Sequence, residues 1–356
     1  MAHEFLKQDL PAVEKPAVFR RFPELNDIPW FPLGQFPTPV ERLENLGTEL
    51  GMANLWVKRD DVSGRLYGGN KVRTLEFCLA DAQQKQTELL VAYSALGSSW
   101  PLACAIYGRL MGWSVDIFYL PYPTDEIKKK NLHVTKKLAR RVTTAHSLFT
   151  FPFCLYFHLR RARKKHKVYL TPPGGVTPVT TLSYVNAVLE LQQQVERGEA
   201  PVPDFIFCPL GSGGTAAGIA IGLNLIDWPT QVVAVRVVDF LVANKMTLKN
   251  LIRRAVNTMK NKGVRLSTKK KWGDNVQIEH GYFGKGYGRP TVMGAESIRL
   301  MQKFENRALD STYSGKAFAA VLDLCKKNSF ENKKVLFWQT LNSRNLDTIP
   351  EKLAEL

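Results

Sequence analysis

Short apolar runs alternate with stretches of helical periodicity along this chain, and that alternation restricts its fold more than any other feature. An apolar run at 89–93 precedes a helical stretch at 102–111, and another apolar run follows at 114–119. The same order recurs in the second half, over residues 205–238. Apolar strands that alternate with helices are typical of parallel βαβ units. The sequence therefore predicts an α/β protein.

Length and composition allow one large domain or two smaller ones. The 356 residues are 45% hydrophobic, and no run reaches the roughly 18 apolar residues that a spanning helix needs. The N-terminal residues carry charges where a signal peptide has its apolar segment, which predicts a cytoplasmic protein. The five cysteines are widely spaced and the six histidines show no metal-ligand spacing. We therefore expect reduced thiols and no metal site.

The net charge of +17 is concentrated in three basic segments, at 128–141, 160–167 and 245–271. Together they hold 23 of the 49 Lys and Arg residues and no Asp or Glu, which leaves 26 basic against 32 acidic residues elsewhere. Such segments can contact nucleic acid or an anionic membrane surface, or they can be solvated helix faces. No nucleic-acid motif with interleaved aromatic residues accompanies them, so we favour solvated helix faces.

A glycine-rich segment directly follows the apolar run 205–210 and leads into a helical stretch. Its sequence, Gly211-Ser-Gly-Gly-Thr-Ala-Ala-Gly218, is called the glycine loop below. Glycines allow tight turns in which several N–H groups point at one anion at a helix N-terminus. The pattern predicts phosphate binding, although a tight turn packed on a sheet has the same composition. It also satisfies the dinucleotide fingerprint, with Asp239 as the ribose-binding acid, so nicotinamide and pyridoxal cofactors both remain open.

A second candidate site lies in residues 59–76, called the lysine segment below, which contain Gly-Gly-Asn-Lys71. An ATP-binding loop would need Lys directly after glycine and then Ser or Thr, whereas Asn70 and Val72 flank Lys71 here. The pattern predicts a helix over 72–82. A lysine at a helix N-terminus has a lowered pKa and forms a Schiff base more readily. A surface lysine would have the same local sequence.

Five motifs in order resemble the family that contains D-cysteine desulfhydrase and 1-aminocyclopropane-1-carboxylate deaminase. They are the lysine segment, Pro172-Pro-Gly-Gly, the glycine loop, Gly286-Tyr-Gly288 and Leu309-Asp-x-x-Tyr-Ser-Gly-Lys-Ala317. The similarity extends from about residue 42 to 337 and disfavours the dinucleotide alternative. It implies a homodimer that binds pyridoxal phosphate and a small amino-acid substrate. It also implies a two-domain tryptophan-synthase-β-like α/β fold of type II, each domain a mostly parallel sheet flanked by helices. The large domain would comprise 1–80 and 166–356, and the small domain 81–165.

The resemblance also implies residue roles. Lys71 would hold the cofactor as a Schiff base and move the α-proton of the substrate. Ser98 would bind the substrate carboxylate or assist proton transfer, and Tyr287 and Tyr313 would lie near substrate and cofactor. Thr340 would contact the pyridine nitrogen. The remaining cofactor contacts would come from Asn70, Ser99, Gly211, Ser212, Gly213, Gly214 and Thr215.

Departures from the family pattern bear on the substrate. Ser99 and Trp100 stand where the family has asparagine and histidine. The deaminases have glutamate where this chain has Ser314 and leucine where it has Thr340. Both differences favour an α,β-elimination lyase that converts D-cysteine, or a similar β-substituted D-amino acid, to pyruvate, ammonia and sulfide. A deaminase of the cyclopropane substrate, or a catalytically weakened pyridoxal-phosphate-binding protein of the same fold, is the alternative.

Overall fold

A computed structural model describes residues 14–327 and 332–354, and its ten strands form two mostly parallel sheets. The strands are β1 Val40–Arg42, β2 Leu55–Arg59, β3 Leu89–Ala95, β4 Ser114–Leu120, β5 Arg141–Thr144, β6 Val168–Thr171, β7 Phe205–Leu210, β8 Gln231–Arg236, β9 Val276–Glu279 and β10 Val335–Gln339. The α-helices of the described residues are α1 Ala17–Arg21, α2 Glu44–Glu49, α3 Lys71–Gln84, α4 Ser99–Leu110, α5 Glu126–Leu138, α6 Phe151–Ala162, α7 Leu182–Glu196, α8 Gly214–Leu225, α9 Lys245–Asn261, α10 Val292–Glu305, α11 Ser314–Lys327 and α12 Ile349–Ala354.

The larger sheet has the strand order β1-β2-β10-β7-β8-β9 and is parallel except for β1, which pairs antiparallel with β2. Strand β10 comes last in the sequence and lies in the middle of this sheet. All five of its residues are buried because helices cover both faces of the sheet. Burial on both faces explains why such strands read as continuous apolar runs.

The smaller sheet is fully parallel, with the order β5-β4-β3-β6. Strand β6 pairs with β3, so this sheet extends to Thr171 and passes the predicted domain boundary at 165. Helix α3 also crosses the predicted boundary at 80, and its buried side chains belong to the hydrophobic cores of both sheets.

The predicted strands and helices correspond closely to the observed ones. The strand at 205–210 has the predicted bounds, and the helix predicted over 72–82 is α3, which begins at Lys71. Helix α4 starts three residues before the predicted 102, at Ser99. Pro101 lies in its first turn. Backbone N–H groups there have no partner within the helix, so the N–H that proline lacks costs no helical hydrogen bond.

The three basic segments lie largely on helices. Segment 128–141 covers most of α5 and continues into β5, segment 160–167 begins in the last turn of α6, and segment 245–271 begins with α9. Helix α9 buries one apolar face and exposes most of its basic residues, as expected for a solvated helix face. Within the part of the chain that the structure describes, no helix is long and apolar enough to cross a bilayer.

Candidate active site

A deep cavity lies where the carboxyl ends of strands from both sheets face each other. Ala95 and Leu120 line it from the ends of β3 and β4, and Pro209 lines it from β7. Thr340, directly after β10, completes this edge. Ligands of α/β proteins bind beyond the carboxyl ends of parallel strands, so the position alone marks this cavity as the candidate active site.

Lys71 is the first residue of α3, and its side chain lines the cavity. Gly69, with φ of 88°, turns the chain into the helix so closely that a Cβ there would lie 2.8 Å from the backbone oxygen of Thr340. Among the described residues, the Lys71 amine has neither a hydrogen-bond partner nor a carboxylate partner. Burial lowers its pKa to about 8. The amine is therefore partly neutral near physiological pH, as a nucleophile and a base must be.

The glycine loop connects β7 to α8, which begins at Gly214. Gly213 has φ of 90°, a conformation that glycine adopts without strain, and residues 211–215, which include the start of α8, line the cavity. Asn70 Nδ2 donates a hydrogen bond of 3.2 Å to Thr215 Oγ1. The residue before the lysine is therefore bonded directly to the loop predicted to bind phosphate.

Gly174, in the Pro172-Pro-Gly-Gly turn, leaves open the space between the loop and the lysine. A Cβ built on Gly174 would lie 2.5 Å from Ser212 Oγ and 3.8 Å from Lys71 Nζ. The arrangement provides a partly neutral amine, an anion-binding helix N-terminus and an open cradle between them. These residues fit pyridoxal phosphate: Lys71 would attach it covalently, and the glycine loop would hold its phosphate.

Ser98, Tyr287 and Tyr313 come together on the cavity wall, although three separate segments contribute them. The two phenol oxygens are 2.5 Å apart, and the nearby Ser98 hydroxyl acts to lower the pKa of both tyrosines. Burial raises the pKa of Tyr313 to about 12 and that of Tyr287 still further. Both phenols are therefore protonated at neutral pH, and the cluster can donate a proton or hold an anion by hydrogen bonds.

Three residues that depart from the family pattern line the cavity. They are Ser99, Trp100 and Thr340. Trp100 is buried and donates from Nε1 to Thr171 Oγ1 over 3.1 Å. Its indole packs on Gly175, where a Cβ would lie 2.2 Å from the ring. Trp100 therefore supports the Pro172-Pro-Gly-Gly turn.

Ser314 does not line the cavity. It is fully buried at the start of α11, and its Oγ lies 2.5 Å from Asp310 Oδ1. Its N–H also donates to Asp310, over 2.9 Å. Ser314 thus helps to form the start of a helix, and the sequence argument that used it to choose between substrates has no support from its position.

The charged residues of the lysine segment form a buried network behind α3, which the sequence patterns did not indicate. Arg73 contacts Asp60 and Glu190, each at 2.8 Å, and Lys58 contacts Glu190 at 2.6 Å. Although burial acts in the opposite direction, Arg73 and Lys58 lower the pKa of Glu190 to about 2. The network fixes α3, and hence Lys71, against the larger sheet and α7.

Lys128 is a site residue that the sequence analysis missed. It was assigned to a solvated basic segment, whereas it is only 4% exposed and lines the cavity beside Tyr287. Helical spacing could have placed it on the buried face of α5 with Asn131 and Thr135, but its charge masked that signal.

Over residues 14–327 and 332–354, no group of three or more His, Cys, Asp or Glu side chains could hold a metal ion.

The fold and the paired lysine and glycine loop define a pyridoxal-phosphate enzyme of fold type II, and the family described as "Pyridoxal-phosphate dependent enzyme" matches residues 32–340. The chain is 31% identical to "Putative 1-aminocyclopropane-1-carboxylate deaminase" of Pyrococcus horikoshii, over 91% of this chain and 93% of the relative. It is 28% identical to "D-cysteine desulfhydrase" of Serratia proteamaculans, over 86% of this chain and 94% of the relative. Within its class, the chain therefore belongs to the 1-aminocyclopropane-1-carboxylate deaminase and D-cysteine desulfhydrase family.

Solved structures agree with this assignment. The crystal structure of an "ACC deaminase homologue" superposes with a TM-score of 0.77 at 28% identity, and the match covers 96% of this chain and 99% of that one. A threonine deaminase from Solanum lycopersicum shares the fold, with a TM-score of 0.63 at 14% identity. The predicted fold class and cofactor are thereby confirmed.

Proposed function

We propose that the chain is a lyase that eliminates the β-substituent of D-cysteine, or of a similar β-substituted D-amino acid. The products would be pyruvate, ammonia and sulfide. The family membership supports the reaction class, and a relative named "D-cysteine desulfhydrase" supports this particular substrate. The position of Thr340 on the cavity wall is the observation that favours elimination over ring opening.

The chain's own residues have distinct roles in this proposal. Pyridoxal phosphate, when bound, withdraws electrons from the substrate Cα and so makes its proton acidic. The neutral amine of Lys71 takes that proton. The C–S bond then breaks and sulfur leaves with the electron pair as a thiolate, which the protonated phenols of Tyr287 and Tyr313 would stabilise by hydrogen bonds. Water releases ammonia and leaves pyruvate, so the overall reaction consumes one water for each D-cysteine.

Thr340 bears on the leaving group because of its effect on the cofactor ring. A hydroxyl partner would leave the pyridine nitrogen mostly unprotonated, whereas the carboxylate that would keep it protonated stands, in the deaminases, at the position of Ser314 and not at that of Thr340. An unprotonated ring withdraws electrons less strongly, which suits a good leaving group such as thiolate better than an unactivated cyclopropane bond. Since Ser314 does not line the cavity, this inference rests on Thr340 alone.

The test compares two substrates on the pyridoxal-phosphate-loaded protein. Pyruvate release from D-cysteine and 2-oxobutanoate release from 1-aminocyclopropane-1-carboxylate are followed side by side, with Lys71→Ala as the blank. We expect turnover of D-cysteine, or of β-chloro-D-alanine, and none of the cyclopropane substrate. Relatives from Pyrococcus horikoshii and Pyrococcus abyssi, at 31% and 30% identity, are named "Putative 1-aminocyclopropane-1-carboxylate deaminase", so the second reaction is the specific alternative. Greater activity on the cyclopropane substrate, or activity on neither, would overturn the proposal.

A further inference from the structure

Lys128 has a buried ammonium group without a counter-ion. Its side chain extends from α5 into the cavity, and Nζ lies 4.7 Å from the centre of the Tyr287 ring. Within residues 14–327 and 332–354, the single hydrogen bond of Nζ is long, 3.4 Å to the backbone oxygen of Pro123. Among the described residues, no ion pair involves Lys128. Burial lowers its pKa, while Asp125 and Asp310 act to raise it.

The two nearby carboxylates are engaged with other donors. Asp125 accepts the backbone N–H of Lys128 over 2.8 Å and the Ser311 hydroxyl over 2.7 Å. Asp310 accepts three backbone N–H groups at the start of α11, those of Thr312, Tyr313 and Ser314. An ammonium group has three N–H donors, and burying one with its donors unpaired is costly. The site is therefore short of an anion close to Lys128.

Two glycines make room for this lysine. A Cβ on Gly288 would lie 2.3 Å from Lys128 Nζ, so the Gly286-Tyr-Gly288 motif leaves the space that the ammonium occupies. A Cβ on Gly97 would lie 2.4 Å from the backbone oxygen of Lys128. Gly97 directly precedes Ser98, which lines the cavity with Tyr287. Lys128 is thus packed against the wall that carries the hydroxyl cluster.

We propose that Lys128 binds an anionic group of the amino-acid substrate and thereby selects for it. This inference rests on the proposed function only in that the substrate is an amino acid with a leaving group. Two groups of such a substrate have the right chemistry, the α-carboxylate and the thiolate that departs from Cβ. A charge-assisted hydrogen bond from Lys128 to either would satisfy the unpaired ammonium in a site of low dielectric constant.

The experiment uses the pyridoxal-phosphate-loaded protein and three variants. Lys128→Met removes the charge and keeps an unbranched side chain over Tyr287, whereas Lys128→Arg restores a charge. The matched control is Lys129→Met, because Lys129 is the neighbouring residue of the same helix and is exposed. D-alanine and D-alaninol, which differ only in the carboxylate, are titrated into each variant and followed by the visible cofactor spectrum. Turnover of D-cysteine is compared with that of β-chloro-D-alanine.

If Lys128 binds the carboxylate, Lys128→Met weakens D-alanine binding about ten- to a hundredfold and leaves D-alaninol binding unchanged. If it stabilises the departing thiolate, D-alanine binding is unchanged and kcat falls more for D-cysteine than for the chloro substrate. Lys128→Arg should recover part of either loss. Equal values for Lys128→Met and wild type in all these measurements, or equal losses in Lys129→Met, would overturn the inference. The D-alanine titration needs no turnover, so it can succeed even where D-cysteine is not a substrate.

Discussion

Behind α3, four buried charged side chains contact partners of opposite charge, whereas two lysines in the cavity in front of it have none. The first group comprises Lys58, Asp60, Arg73 and Glu190, joined by ion pairs of 2.6 to 2.8 Å. The second comprises Lys71 and Lys128, neither of which has a carboxylate partner among the described residues. Burial acts against the charge of every one of these lysines, so the difference lies in the partners.

This difference distinguishes buried charge that supports structure from buried charge that is available for chemistry. A satisfied ion pair holds its side chains in place and leaves nothing for a ligand. An unpaired amine is less stable where it lies but can bind, accept a proton or attack a carbonyl group. The lysine segment contains both kinds within three residues, since Lys71 faces the cavity and Arg73 faces the network.

Replacing Lys71 should have the largest effect on activity and almost none on the fold. Lys71→Ala removes the only group proposed to take the α-proton, so turnover should be abolished. Because the wild-type amine is charged below pH 8 against the cost of burial, its loss should leave the free energy of unfolding of the apoprotein at pH 7 unchanged or raised. Urea denaturation and the pyruvate assay measure the two effects. Retained turnover, or a clear loss of stability, would contradict the prediction.

Replacing Arg73, in contrast to Lys71, should lower the stability of the fold. Arg73→Met leaves Asp60 and Glu190 buried with only Lys58 to offset them, and we expect a loss of about 3–5 kcal/mol in the free energy of unfolding. The control is Lys85→Met, which breaks an exposed pair with Asp81 and should cost at most about 1 kcal/mol. Urea denaturation of both variants tests the contrast. Similar losses in the two would show that the buried network contributes no more than a surface pair.

The lysines should also differ in reactivity without any substitution. In the apoprotein, isotopic reductive methylation at a series of pH values should label Lys71 with a midpoint near pH 8, because its amine loses its proton as pH rises through that pKa. Exposed Lys129, whose pKa is raised by Glu126, should be labelled only at higher pH. Lys58 should remain unlabelled although its pKa is also lowered, since it is fully buried. Mass spectrometry of the peptides measures the labelling of all three lysines at each pH. The same midpoint pH for Lys71 and Lys129 would contradict the prediction.

Much of the fold could be predicted from local pattern. Apolar runs and helical periods indicated the βαβ order because strands and helices have different spacings of buried residues. The pairing of β6 with β3 and the central place of β10 could not be predicted in this way. Which strands become neighbours depends on packing between segments far apart in the sequence.

The candidate site, like the fold, has some features that follow from local sequence and others that depend on tertiary contacts. The sequence by itself determined that Lys71 begins a helix after flexible glycines and that the glycine loop joins a strand to a helix N-terminus, because turns and helix ends depend on neighbouring residues. Only the tertiary structure decided that Ser314 is bonded to Asp310 and that Lys128 lies in the cavity. It also decided that Arg73 is paired while Lys71 is not. Burial and the presence of a partner are set by contacts across the fold, and no local pattern of charge reports them.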